Sequence, residues 1–244
     1  MIKIKNHDHK AIYYQFERFN ELNYISHLFT TKIGWGDSKI DILSDILDVA
    51  RDRIISVKQV HGTDILIIGR EFDNVEISKT SADGLITNIP NIVLTTYHAD
   101  CVPLFFIDLT NKVVGLAHAG WKGTFENIAG RMLDRMKEVY GSDYREILVG
   151  IGPSIGSCCY EFGEDLADKF DERYKEFSNI IEQKDGKLYL DLWKLNYLLL
   201  TIKGIPERNI ILSNICTSCN TEVFYSYRKE KGTKGRMIAA IGLV

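Results

Sequence analysis

Proline is scarce in this chain, with four among 244 residues, and no Gly/Ser-rich tract exceeds a few residues. No composition break or internal repeat divides it either, so residues 1–244 are expected to form one domain with a substantial core. Long apolar runs are missing: a stretch such as 102–107 falls far short of the about 18 residues that a membrane span needs. The N-terminus, Met1-Ile2-Lys3-Ile4-Lys5-Asn6-His7-Asp8, has no apolar core of signal-peptide length. A cytoplasmic protein with no membrane partner is therefore expected. Basic excess is absent too. The balance of 30 Lys and Arg against 33 Asp and Glu argues against a general nucleic-acid binder. A local exception is 228–236, with five basic residues and the single acid Glu230, which reads as a solvated hairpin loop or an anion-binding one. Five cysteines are an odd set and poor material for a disulfide scaffold in a reducing compartment, so metal or thiol chemistry comes into view.

Short segments rich in Ile, Val, Phe and Tyr, bounded by Gly, Asn or Asp, predict strands at 11–16, 54–60, 64–68, 91–97, 103–107, 113–117 and 147–151. Residues 126–140 place Ile128, Met132, Leu133, Met136 and Val139 on one helical face, and Gly141 follows as a stop. The pattern repeats at 192–203 with Leu195, Leu199 and Ile202, closed by Gly204 and Pro206. A more polar helix is expected at 164–174 and a short one at 41–51. Strands and helices do not alternate strictly, so the expected class is α+β, a single domain of mixed β-sheets flanked by helices.

Three segments combine a metal-ligand type with small residues at a strand end: Gln59-Val60-His61-Gly62, His98-Ala99-Asp100-Cys101 and Ala117-His118-Ala119-Gly120-Trp121. Each strand would be buried while its polar terminus emerges, and the glycines allow a sharp turn or close approach to a ligand. Two imidazoles and a thiolate form a sensible zinc set, and three protein ligands leave one position for water or substrate. Singly, each histidine reads as a structural residue at a strand end. Repetition at three strand ends, with Asp100 beside Cys101 as an outer partner or general base, favours a site.

The other cysteines read differently. Cys216-Thr217-Ser218-Cys219 is a lone C-x-x-C without the second pair that a structural zinc usually has, and Cys158-Cys159 are adjacent, poor geometry for two ligands of one metal. Cys216 and Cys219 are thus expected to be packing or redox-tolerant residues. The Gly150–Gly156 segment lacks the Walker spacing and lysine of a phosphate loop, and reads as a tight bend next to the site.

Taken together, the segments VKQVHGTDI at Val57, ADGLITN at Ala82, HADCVPLFFID at His98, GLAHAGWKGT at Gly115 and GIGPSIGSCCYEFGEDL at Gly150 carry a resemblance. So do DLWKLN at Asp191, CTSC at Cys216 and FYSYRKEKGTKGRMIAAIGL at Phe224. In order, over residues 25–244, the chain resembles the laccase-domain, multicopper-polyphenol-oxidase-like purine nucleoside phosphorylase family. That resemblance implies zinc ligands at His61, Cys101 and His118, phosphorolysis of adenosine, inosine, guanosine and methylthioadenosine, and deamination of adenosine. It implies an α+β fold in one piece. Three departures stand out. Lys32 replaces the family's usual arginine, keeping the charge without the bidentate fork, and Trp35 stands where glycine is common. The loop between Asp37 and Arg53 is also shortened.

On this reading Cys101 and Asp100 are catalytic, Asp100 carrying the proton. Lys32, Arg228 and Arg236 bind phosphate, Lys122 being a weaker candidate. Trp121 or Tyr160 offers a face for a purine. The implied partners are purine nucleosides and phosphate, and the implied oligomer is a monomer or weak homodimer. Two rivals remain. Copper-dependent phenol oxidation needs more clustered histidines than six in total allow, three of them (His7, His9 and His27) lying near the N-terminus, so zinc is preferred to copper. An amidase with Cys101 as nucleophile and His118 as base, acting on cell-wall precursors, is separable by metal content.

Overall fold

The computed structural model describes residues 1–244. Numbered in chain order, the first six-stranded sheet runs β1 (Ile2–Lys5), β2 (Ile12–Gln15), β3 (Ile25–Thr30), β15 (Met237–Leu243), β7 (Ile92–His98), β4 (Ile54–Ile55). A second runs β14 (Ile210–Leu212), β10 (Ile147–Ile151), β8 (Val102–Asp108), β9 (Val113–Ala119), β6 (Gly84–Thr87), β5 (Ile65–Ile68). A small third sheet orders β11 (Glu161–Phe162), β13 (Lys187–Leu190) and β12 (Ile181–Lys184). Most pairings are antiparallel, but β4 with β7, β5 with β6 and β10 with β14 are parallel, so the sheets are mixed and the class is α+β.

The period of two along each strand sorts side chains into layers. On β8, Phe105 and Ile107 point into one core while Leu104 and Phe106 point into another. On β15, Met237, Ala239 and Ile241 join the core of Phe105, and Ile238 and Ala240 face the opposite way. The two large sheets therefore pack face to face. Helices cover the outer face of the second sheet: α5 (Ile128–Tyr140) and α7 (Leu192–Lys203), with α6 (Glu164–Arg173) beside them. The outer face of the first sheet carries α2 (Lys39–Leu47) and the buried Trp35. Short helices α1 (Glu17–Asn20), α3 (Asn74–Lys79) and α4 (Trp121–Phe125) complete the set.

The expected helix at 192–203 has those bounds, capped by the Asp191 carboxylate on the Lys194 amide and by Gly204 in the left-handed region. The helix at 126–140 starts two residues later, because Asn127 serves as its cap and accepts from the Gly130 amide. Val139 and Ile202, both read as members of an apolar helical face, are exposed, each in the last turn of its helix. The expected helix at 41–51 begins earlier and ends at Leu47, where Asp48 adopts a left-handed conformation. The expected strand at 54–60 forms only the two-residue β4 and a single further bridge, of Lys58 to Ser81. Beyond it the Val60 amide turns away from any ladder to the Asp83 carboxylate, a side chain competing with sheet hydrogen bonding.

Candidate metal centre

Two connections between strands and the end of β9 meet at one end of the two sheets. After β7, residues 99–101 cross from the first sheet to β8 of the second, and Asp100 makes the crossing with φ of 89°. Cys101 stands at the start of β8. Its register neighbour strand β9, with Pro103 opposite His118, brings His118 to the same edge. His61 comes from the turn before β5, at φ of 60°.

Asp83 holds that turn. It is fully buried just before β6, and its carboxylate accepts from the amides of Val60 (3.1 Å), His61 (3.0 Å) and Gly62 (2.7 Å). The same carboxylate accepts from His118 Nδ1 at 2.8 Å, while its own carbonyl accepts from the His118 amide at 2.7 Å. Burial pushes this carboxyl up, but hydrogen bonds from His118, Gly62 and Val60 outweigh it and leave the pKa below the ordinary value. With Nδ1 committed to Asp83, His118 has Nε2 free to act as a ligand, the outer-partner arrangement typical of metal-bound imidazoles. Asp100 makes no such bond to an imidazole. Its carboxylate accepts from the Thr217 hydroxyl (2.7 Å), the Ser226 hydroxyl (3.0 Å) and the Arg228 amide (2.7 Å), tying two loops to the crossing beside Cys101.

The ligand atoms of His61, Cys101 and His118 lie within 4.8 Å of one another, and the two imidazoles meet edge to face with centroids 4.8 Å apart. Gly120 leaves this space open: a Cβ there would stand 3.0 Å from His61 Cδ2 and 3.1 Å from Cys101 Sγ. Burial opposes ionisation of Cys101, yet the charge of His118 and hydrogen bonds from His118 and His61 bring its thiol down to about 6. Burial also opposes the charge on His118, but the Cys101 thiolate and the Asp83 carboxylate raise it to about 9. A preformed thiolate beside two imidazoles is the donor set that a borderline-soft divalent ion takes, so these residues fit a metal. His98 stays out of it. Buried, with its pKa pushed well down, it pairs Nε2 with Thr96 Oγ1 (2.7 Å) and Nδ1 with the Cys101 carbonyl (3.0 Å), which positions the backbone of Cys101.

The centre opens onto a cleft of about 610 Å³, walled by Trp121, Tyr160, Tyr97 and Tyr227 and by Arg228 and Arg236. The Arg228 guanidinium lies 5.0 Å over the Tyr160 ring and donates to the Glu161 carbonyl. Arg236 donates to the carbonyls of Thr233 and Gly235. Within the basic segment, Lys229, Lys231 and Lys234 are exposed to solvent, and the two arginines at its ends line the cleft. Lys32 stands apart from that lining, its Nζ donating to the Thr221 carbonyl. Trp35 is core, with its indole N–H on the Ile12 carbonyl. A smaller cleft of about 400 Å³ shares His61 and Trp121 and carries Lys122 and Lys169.

Asp83, His98 and Thr217 were not singled out by sequence reading. Asp83 lay within the ADGLITN segment and His98 within HADC, but an aspartate before a strand looks like any turn residue until its partners are seen. The remaining cysteines, read separately in the sequence, come together: Cys158, Cys159, Cys216 and Cys219 have their sulfurs within 4.8 Å of one another.

Comparison with known proteins places the chain among relatives of the same fold. The family described as multi-copper polyphenol oxidoreductase laccase matches residues 37–244. A purine nucleoside phosphorylase of Staphylococcus epidermidis is 36% identical over 208 residues, covering 83% of this chain and 77% of the relative. The crystal structure of the Bacillus licheniformis hypothetical protein YfiH superposes with a TM-score of 0.86 at 31% identity, over 96% of each chain. YlmD from Geobacillus stearothermophilus gives the same TM-score at 29% identity over 99% of each chain. With the shared fold and the match over most of its length, the chain belongs to the multi-copper polyphenol oxidoreductase laccase family, whose curated relatives include purine nucleoside phosphorylases.

Proposed function

We propose that this chain, as one domain over residues 1–244, is a zinc-dependent purine nucleoside phosphorylase of the cytoplasm. Its substrates are adenosine, inosine, guanosine and methylthioadenosine, and it also deaminates adenosine. The observation that carries the reading is the three-donor set of His61, Cys101 and His118 opening on a cleft with aromatic and guanidinium walls. Zinc, when bound, supplies Lewis acidity. The protein's own groups do the rest. Tyr160, backed by Arg228, and Trp121 offer flat faces to a purine. Arg228 and Arg236 offer N–H donors to phosphate, with Lys32 as a more distant contributor. The Asp100 carboxylate, which accepts from Thr217, Ser226 and Arg228, takes up a proton at the cleft wall.

In phosphorolysis a phosphate oxygen bonds to C1′ of the ribose as the bond to the purine breaks; in deamination an oxygen replaces the amino group at C6. These atoms lie at opposite ends of the nucleoside, so either the substrate enters in two orientations or one of the two reactions draws on the bound metal only electrostatically. The test is chromatography of adenosine incubated with the protein, with and without phosphate, beside Cys101→Ala and with zinc content recorded. Adenine only with phosphate, inosine without it, and neither from the variant are the expected products. No turnover by zinc-loaded protein would sink the reading.

A second reading has one observation in its favour. The Cys101–His118–Asp83 chain is also a thiolate–imidazolium pair with a carboxylate behind it, the arrangement of a cysteine amidase. Full activity on amides from cell-wall precursors in metal-free protein would select it.

A further inference from the structure

We propose that Cys158, Cys159, Cys216 and Cys219 form a second metal site, a four-thiolate zinc centre separate from His61, Cys101 and His118. The Cys219 sulfur lies 3.5 Å from that of Cys158 and 3.4 Å from that of Cys159, and all four sulfurs lie within 4.8 Å of one another. Zn–S bonds of about 2.3 Å in a tetrahedron place sulfurs about 3.8 Å apart, so the four need only small movements to close on one ion. A disulfide would need about 2.05 Å between one pair and would leave two thiols over.

The backbone around the sulfurs is built for convergence. The Cys216–Cys219 turn is closed by the Asn220 amide on the Thr217 carbonyl and the Asn220 side chain on the Cys216 carbonyl. It is pinned to the other loop, the Thr217 amide donating to the Ser154 carbonyl at 3.0 Å and the Ser154 amide to the Ile215 carbonyl at 3.2 Å. In that other loop, the amides of Cys159 and Tyr160 both donate to the Gly156 carbonyl, a tight turn that lets adjacent cysteines reach the same partner. The Gly156 amide donates to Cys216 Sγ at 3.3 Å, which ties that sulfur to the other loop.

An all-sulfur donor set selects a soft or borderline ion, and the narrow spread suits one ion rather than a cluster. Cys216 is buried while Cys158 and Cys219 are exposed, which gives the ion a way in. Bound zinc would clamp two loops that serve the cleft: Thr217 holds Asp100, and Tyr160, next to Cys159, forms its wall.

The test is elemental analysis of the intact purified protein, with Cys219→Ser, Cys216→Ser/Cys219→Ser and His118→Ala in parallel. Two zinc ions per chain are expected for the natural sequence and one for each variant. In His118→Ala, X-ray absorption at the zinc edge should fit four sulfurs at about 2.3 Å. That variant leaves every thiol of the cluster in place, so the result does not depend on the serine variants folding. One zinc in the natural protein and none in His118→Ala would overturn the proposal while leaving the first site standing. One zinc that His118→Ala retains on four sulfurs would uphold it and remove the first site instead. A mass two hydrogens low that reductant restores, with no zinc on the cluster, would make it a disulfide and overturn the proposal.

Discussion

Asp83 organises more of the candidate site than any ligand does. One buried carboxylate fixes the His61 turn through three amides and the His118 ring through Nδ1. Asp83→Asn should therefore weaken zinc binding by about 10- to 100-fold, read by competition with a chelator, with circular dichroism checking that the fold persists. Gly120→Ala should also cost metal affinity, because its Cβ would press on both His61 and Cys101. Unchanged affinity in that variant would mean the ligands do not converge at Gly120. The ionisation of the ligands sets a pH dependence. Metal-free His118, raised to about 9, must lose its proton before its ring can bind an ion. Zinc affinity should rise about tenfold per unit as pH climbs toward 9, and more steeply below about 6, where Cys101 is protonated too. His61, Cys101 and His118 were legible in the sequence because ligand residue types recur at strand ends. Asp83 was not, since its role consists of contacts with residues 21 to 35 positions away.

At the scale of elements, long amphipathic helices were readable and many strands were not. The helix at 192–203 carries its own stop and cap signals in Asp191 and Gly204. Strand β15, Met237-Ile-Ala-Ala-Ile-Gly-Leu, escaped notice because it is buried on both faces and rich in Ala and Gly, which have little strand preference. Gly242 there is required by close approach: a Cβ would stand 2.5 Å from the Ile92 carbonyl. Helix α5 offers a test of capping. Asn127 caps it from a left-handed conformation, φ 58°, and accepts from the Gly130 amide at 2.9 Å. Asn127→Ala should cost about 1 kcal/mol or more in urea unfolding, while Asn127→Gly, at ease with that φ, should cost only a few tenths. Equal losses would mean that the hydrogen bond, not the backbone conformation, dominates.

At the scale of the whole molecule, the layer between the two large sheets is one of three buried cores, and it contains an imidazole. His27 on β3 is fully buried against Phe16, Phe19 and Phe105, and its Nε2 accepts from the Phe16 amide at 2.8 Å. Its Nδ1 has no partner, and burial lowers its pKa to about 3. The folded protein thus refuses a proton that the unfolded chain takes up below about 6.5. Stability should fall by about 1.4 kcal/mol per unit as pH drops below 6.5, until the folded value is reached near 3. Urea midpoints at pH 7 and pH 5 check this, and coincident midpoints would show that His27 is not held neutral. No helix is long and apolar enough to cross a membrane.

The sequence by itself determined the α+β class, the main helices and the three residues suited to hold a metal, since these follow from periodicity and ligand chemistry along short segments. Only the tertiary structure decided what surrounds them. Asp83 behind His118, Asp100 bound to the 217 and 226–228 loops, Lys32 outside the cleft lining and four cysteines drawn together all depend on which loops the two sheets bring to one edge. Those pairings join residues up to 128 positions apart, and local patterns carry no information about contacts at that range.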